Sequence, residues 1–545
     1  MPRRFCSRTS LGWWAGNIGT VLLATTLLDT ALVRAADEKA DTTLESTEKA
    51  KKSDREIIHH GTPEMSPDAQ IVTNKRSVFG PDPRYRKFYD PAEQIEIYGG
   101  KFQVLEQRPP IEIGQPLYVE GPLNPSFNDI GKKNLVQPAF SVFGDFRTAF
   151  SYNNNGKNQE VGRLSARLNL ETDLQITATE RCHALFRPID KNPTITHVDI
   201  LGPNQSSPVF ELNGNPHTLF CEGDLGNIVS GLTNTYQSYD IPFAVGLTPL
   251  LFQNGIWANS TLIGGVATIP ARNSATLNIA NMDFTFFAGD NTSTPAIKDP
   301  AGNLVTTGVA AYGAAAFVEA NEGYWEAGIG YIDDHRGLPI NQSVNKSYGT
   351  ATIAFTKRYG GWLSNSVRVI GDFGQDPAAH GVRTANGFIF LMENSLISSK
   401  ELVFVPYLNL FAGFRQPQSL MRNADAGGIL FNTGILFETD GLTNFPKLDD
   451  GGFDTYGGAL GVEYLFDLDQ QIVLEVATVQ IRGADIDPGR QATGPQYGIG
   501  LRYQRNLTNS LLFRLNLMYA ERENPQNVPG LGNIAGVVLE LRQKF

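Results

Sequence analysis

Residues 536–545 read GVVLELRQKF. Phe545, Leu541, Leu539 and Val537 fall on one side of a two-residue period, with Lys544, Arg542 and Glu540 on the other. Period two is the mark of a strand, whose side chains point alternately to opposite faces. A last strand with one apolar and one charged face, stopping on a bare Phe, raises the question of what meets each face.

The same grammar runs through residues 163–178, RLSARLNLETDLQITA. Leu164, Leu168, Leu170, Leu174 and Ile176 share one face; Arg163, Arg167, Glu171, Asp173 and Gln175 share the other. Residues 138–152, 495–504 and 510–521 repeat it. About sixteen such strands can be traced between residues 138 and 545, with fourteen to eighteen allowed. The stretch 251–280 is far too long for a tight turn, so it either hides an extra hairpin or folds inward. Short turns alternate with long loops, as in an up-and-down barrel with one trimmed and one elaborate rim.

A soluble β protein turns its apolar face inward. Here strand after strand carries Arg, Asp, Glu and Gln on one face, and about sixteen strands closed on themselves leave a lumen too wide for side chains to fill. The charged face is therefore expected inside and the apolar face against lipid. Closure also satisfies every strand's N–H and C=O groups, which hydrocarbon demands. Tyr152, Tyr331, Tyr503 and Tyr519 stand near strand ends, where interfacial aromatics belong. The fold class expected is an all-β transmembrane antiparallel barrel.

Composition agrees. The chain has 545 residues, 41% hydrophobic, with 55 Gly, 32 Phe and 18 Tyr. Mean hydropathy is −0.20, a value that averages the two faces of a barrel and cannot detect it. No run of eighteen apolar residues occurs in the body of the chain, which excludes helical spans there. Arg3, Arg4 and Arg8 precede the apolar stretch GTVLLATTLLDTALV, and Val33-Arg34-Ala35 fits a cleavage site, so residues 1–35 read as a signal peptide. That segment holds four Arg and one Asp, so removing it takes the net charge from −11 to −14. Such a charge argues against a nucleic-acid partner. Residues 36–75 read as a disordered polar linker, and 76–136, rich in Pro and Tyr, as an extended periplasmic or plug-like segment. The barrel is expected over 137–545.

The terminal stretch resembles the last strand of Gram-negative outer-membrane β-barrel proteins. There a terminal aromatic, with apolar residues at alternating upstream positions, is read by the assembly machinery. Phe545, Leu541, Leu539 and Val537 match that pattern, while Gln543 departs from it. Within the family the chain is similar in style to porins of the phosphate-selective and alginate-export groups, with no motif assigning it to either. The resemblance implies an outer-membrane porin, its N-terminal segment in the periplasm, giving passive diffusion of small hydrophilic solutes. Its partners would be outer-membrane lipid, the barrel-assembly machinery and those solutes; monomer or homotrimer stays open. It also implies that a long loop such as 189–239 folds into the barrel and narrows it, although the residues alone equally allow packing on the outer rim.

The candidate pore-lining residues are Arg147, Arg163, Arg167, Arg181, His183 and Arg187, with Asp145, Glu171 and Asp173. Arg presents a planar fork suited to carboxylate and phosphate. A mutually paired ladder that only hydrates the lumen is the competing account, and Glu326 and Glu475 on later strands could offset the positive excess. Asp440, Asp449, Asp450 and Asp454 gather in one loop and form a weak Ca²⁺ candidate; a solvated acidic loop is the plainer reading, and no metal or other cofactor is expected. His59-His60 reads as solvated. With no G-x-S-x-G elbow and no H-E-x-x-H motif, no catalytic residue is assigned. A plugged structural or adhesive barrel and a barrel-embedded enzyme are the alternatives. Cys182 and Cys221 could pair after export, but the strand assignment puts Cys182 near one membrane edge and Cys221 in a loop at the other.

Overall fold

The computed structural model describes residues 109–114 and 126–545, apart from 157–159, 192–193, 204, 206–207, 300–301, 337–345, 377–381, 397–403, 440, 467–468, 484–489 and 525–531. The chain divides into residues 1–71 and 72–545. The first unit, containing the signal segment and most of the linker, lies outside the described residues, as do all of 72–108 and 115–125.

Eighteen strands form one antiparallel ring. They are β1 (Ala139–Asn154), β2 (Glu160–Gln175), β3 (Arg181–Phe186), β4 (Pro216–Asp224), β5 (Pro242–Phe252), β6 (Ala258–Ser274), β7 (Ile279–Asp290), β8 (Val309–Ala320) and β9 (Gly323–Asp334). The ring continues with β10 (Tyr348–Tyr359), β11 (Leu363–Phe373), β12 (Phe388–Leu396), β13 (Phe404–Phe414), β14 (Thr455–Leu465), β15 (Gln470–Ile481), β16 (Gln496–Asn506), β17 (Leu511–Arg522) and β18 (Ile534–Lys544). It closes where β18 pairs with β1, from Asp145↔Lys544 to Asn154↔Ala535. Leu164, Phe286, Ile329 and Leu460, on four different strands, are 45–58% exposed. Such an apolar outer wall costs free energy in water, at about 25 cal/mol per Å², and is favourable in lipid.

The count is eighteen, not about sixteen. Both missed strands lack a clean alternation. In β6, ANSTLIGGVATIPARNS, small residues occupy both faces and Leu262 points inward, fully buried. The barrel interior at this sector is dry, so the inner face need not be polar. In β4, Phe220 faces His183 rather than the outside, their rings 5.1 Å apart. The stretch 251–280 holds the upper end of β5 and all of β6, and the tip between them also folds inward.

Recognising β4 corrects the cysteine assignment. Cys182 and Cys221 stand directly opposite each other on neighbouring strands and form a disulfide. It also dissolves the expected single loop 189–239. Between β3 and β4, His197–Leu201 pairs along the wall with the upper part of β2. Helix α1 (Leu225–Thr233) lies at the other, short-turn rim. Asp224 caps α1 by accepting from Asn227 N, 2.7 Å, and also accepts from Ile241 N at the helix exit. Gly131 packs so closely on α1 that a Cβ would meet Gly231 O at 1.9 Å, which seats the segment before β1 against the helix.

One piece of the Pro/Tyr-rich segment belongs to the wall. Ile111–Gly114 pairs with Ala139–Val142 on the edge of β1 that β18 leaves uncovered. Phe545 ends the neighbouring stretch of the same edge, exchanging backbone hydrogen bonds with Gly144 at 2.9 and 3.1 Å.

Among the described residues, two elements fold far into the lumen. The β5–β6 tip turns on Gln253, Asn254 and Gly255, all at positive φ, and inserts Trp257, which is fully buried against Phe252 and Phe287. Gly328 on β9 makes room for it, since a Cβ there would lie 2.6 Å from the indole. The second element is the loop 415–454. Its Met421–Arg422 segment pairs with Ala258–Asn259, and Leu420, Leu430, Leu436 and Phe437 are buried. Apolar packing of the tip and loop thus fills much of the barrel, most heavily along β6–β15, and reaches β17 and β18 through Met518, Ala520, Ile534 and Val538.

Candidate functional site

The charged faces of β1, β2 and β16–β18 meet the far side of loop 415–454. Between them lies a cavity of about 300 Å³, enough for on the order of ten waters at ~30 Å³ each. Arg147, Arg167, Arg187, Arg502 and Arg514 line it, with carboxylates from Asp425, Glu438 and Glu540. Phe431, Ile435 and Phe445 supply the loop's apolar contribution.

The loop is held in place by polar anchors at several points of the wall. Glu475 on β15 accepts from the backbone N–H groups of Ile435 and Leu436, both at 2.9 Å, and from the Tyr407 hydroxyl at 2.5 Å. Asn153 on β1 donates to Thr443 O at 2.9 Å, and Asn409 on β13 donates to Thr433 O at 2.7 Å. Arg422 is fully buried and donates to Gly427 O and Gly255 O. The loop is therefore a braced partition.

Each predicted residue can now be placed. Arg147 pairs with Asp145 at 2.5 Å, and Asp145 also receives Arg542 at 2.9 Å and Asn169 at 2.9 Å. Arg163 is bidentate on Asp199, 2.6 and 3.1 Å. Arg167 pairs with Asp190 at 2.8 Å and Arg181 with Asp173 at 2.7 Å. His183 lies 3.1 Å from Glu222, and Glu171 is exposed. Arg187 pairs with Asp425 of the partition at 2.9 Å. Burial works to raise the Asp425 carboxyl pKa, but the Arg187 guanidinium, His217 and a backbone N–H together hold the carboxyl below its ordinary range.

Arg147, Arg167 and Arg187 come together at the cavity; Arg163 and Arg181 do not line it. The later acids are engaged elsewhere: Glu475 holds the loop, and Glu326 lies 4.0 Å from Arg368, which also pairs with Glu393 at 3.0 Å. The sequence reading missed Arg502, Arg514 and Glu540, although they stand on the charged faces of period-two strands. It also missed Asp190, Asp199 and Asp425, whose loop positions carry no periodic signal.

The acidic loop is not solvated. Asp449 and Asp450 are buried. Asp449 accepts from Gly451 N and Ala492 N, each at 2.9 Å, and burial raises its carboxyl pKa. Asp450 accepts from Gly428 N and Lys447, and Asp454 accepts from Arg415 N at 2.9 Å. Asp440 lies outside the described residues. Among the described residues, no group of three or more His, Cys, Asp or Glu side chains is arranged to hold a metal.

No family model and no curated protein sequence matches this chain. Among solved structures it is similar to OccAB3 of Acinetobacter baumannii, at 10% identity and a TM-score of 0.46, covering 74% of this chain and 99% of that one. It is also similar to OccK5 (OpdH) of Pseudomonas aeruginosa, at 10% identity and a TM-score of 0.45, covering 74% and 98%. A third likeness is to the outer membrane protein OpdK of the same organism, at 11% identity and a TM-score of 0.44, with the same coverage.

Proposed function

We propose that this chain is an outer-membrane channel for passive diffusion of small hydrophilic anions, with its N-terminal segment in the periplasm. The observation that carries the reading is the cavity between the arginine wall and loop 415–454, where five Arg face three carboxylates. A unit charge 4 Å from an ion is worth about 4 kcal/mol at an effective dielectric near 20, and existing ion pairs and water reduce that. Charges on exposed loops are screened within about 8 Å at physiological salt. Low-dielectric walls focus the lumen charges instead.

The test is the reversal potential of the reconstituted channel in a salt gradient. Wild type is expected to be anion-selective, and Arg147→Ala/Arg167→Ala to shift the potential toward cations. A cation-selective wild type, or an unmoved potential in the double variant, overturns the anionic part of the proposal.

A second reading has its own observation. Buried Trp257, Leu430, Leu436 and Phe437 fill one side of the lumen, as they would in a plugged surface barrel. Single-channel recording separates the two, since a plugged barrel passes no steady current.

A further inference from the structure

On the side of loop 415–454 away from the arginine wall, the long loops enclose a second and larger cavity of about 900 Å³. It opens at the long-loop rim, and its lining comes from described residues of five loops, among them Lys298, Lys346, Thr384, Gln418 and Gln491. They are cross-tied by side chains. Gln375, itself buried, donates to Lys346 O at 3.1 Å and accepts from Thr384 N at 2.7 Å. The Thr384 hydroxyl donates to Ala296 O at 2.8 Å, and Gln418 Nε2 donates to Thr384 O at 2.8 Å. Ala296, Lys346, Gln375, Thr384 and Gln418 are thus held to one another beside the cavity.

Its charge is unbalanced. Lys298, Lys346 and Lys447 line it, and Asp450 is its one lining carboxylate among the described residues. Asp450 is already committed to Lys447 and the Gly428 N–H. Lys298 and Lys346 have no ion pair among the described residues, and Asp334, the nearest acid acting on Lys346, is held by Arg336 at 2.6 Å. Burial, and then the nearby Arg336 and Lys298, lower the ammonium pKa of Lys346. These two ammonium groups line the same pocket as the polar side chains of Gln416, Asn423 and Thr306.

We infer that this vestibule is a separate binding site for a small hydroxylated oxyanion, whose charged group sits between Lys298 and Lys346 while its hydroxyls meet the amide side chains. The shared chemistry is a carboxylate or phosphate on a polyol. The site stands apart from the arginine wall, so it does not require that wall to set channel selectivity.

Calorimetric titration of the refolded, heat-modifiable full chain tests it, with gluconate, glucose 6-phosphate and neutral sorbitol as probes. Lys298→Gln/Lys346→Gln is expected to weaken binding of a charged probe about tenfold or more, as expected when charge-assisted contacts are lost. Arg147→Ala/Arg167→Ala should leave that component in place, which separates this site from the proposed selectivity filter. Binding of gluconate alone assigns a carboxylate site; binding of glucose 6-phosphate, alone or with gluconate, assigns one that takes phosphate. The inference is overturned if neither charged probe binds, if sorbitol binds as well as they do, or if the lysine double variant titrates like wild type.

Discussion

Replacing Glu475 by Gln would remove a charge that accepts two adjacent backbone N–H groups of the loop and one hydroxyl of the wall. The amide keeps one accepting oxygen, so at least one bond to the loop is lost, at about 1.5–3 kcal/mol for a charged hydrogen bond. Glu475→Gln should therefore loosen residues 435–436 while β15 stays in the ring. Open-channel current noise and protease cleavage within 415–454 are both expected to rise. A quiet, protease-resistant variant would show that Asn153, Asn409 and Arg422 hold the partition without it. Residues of this kind were only half legible. A period-two strand marks Glu475 as inward, yet nothing in the sequence says that two loop amides wait for it. The same holds for Arg187, whose partner Asp425 lies 238 residues away.

At the scale of elements, β3 and β4 are the weak part of the wall. β3 has six residues and β4 nine, while β1 and β2 have sixteen each. The Cys182–Cys221 bond spans a sequence separation of 39 residues, and closing such a loop in the unfolded chain is worth about 4 kcal/mol in the chain-entropy model. Cys182→Ser should lower the temperature at which the refolded barrel loses its heat-modifiable gel mobility, and reductant should do the same to wild type alone. The Arg187–Asp425 link gives a pH prediction. Its carboxyl is held below the ordinary Asp value of about 3.9, so the link's contribution is present above that value and is lost as pH falls through the lower, folded-state value. Conductance should stay level from pH 7 to about 5 and change only below the ordinary Asp range; Asp425→Asn should already show the altered level at pH 7. Long wet-faced strands such as β2 and β17 were readable because lipid on one side and water on the other write an alternation into the sequence. β6 was not, because the β5–β6 tip and loop 415–454 dry its inner face and erase that contrast.

For the whole molecule, the decisive event is closure of β18 on β1. Phe545 contributes two backbone hydrogen bonds to that seam, and Leu541, Leu539 and Val537 continue the outer face above it. Deleting Phe545 should lower the yield of heat-modifiable barrel in the outer membrane and raise degradation in the periplasm. Equal yields would separate the terminal Phe from assembly. The barrel as a class was legible because most of its strands repeat the same constraint. Its division into a packed half and a charged half was not, since it depends on which loops turn inward.

The short pairing of Ile111–Gly114 with β1 has a consequence for how the molecule meets its neighbours. β18 covers β1 only from Asp145 onward, and without those four residues the first part of β1 would present bare backbone donors and acceptors. A bare edge is a template for a strand of any other chain, the usual route to fibres and mispaired dimers. By laying a piece of itself along that edge, the chain occupies the start of β1 with its own backbone.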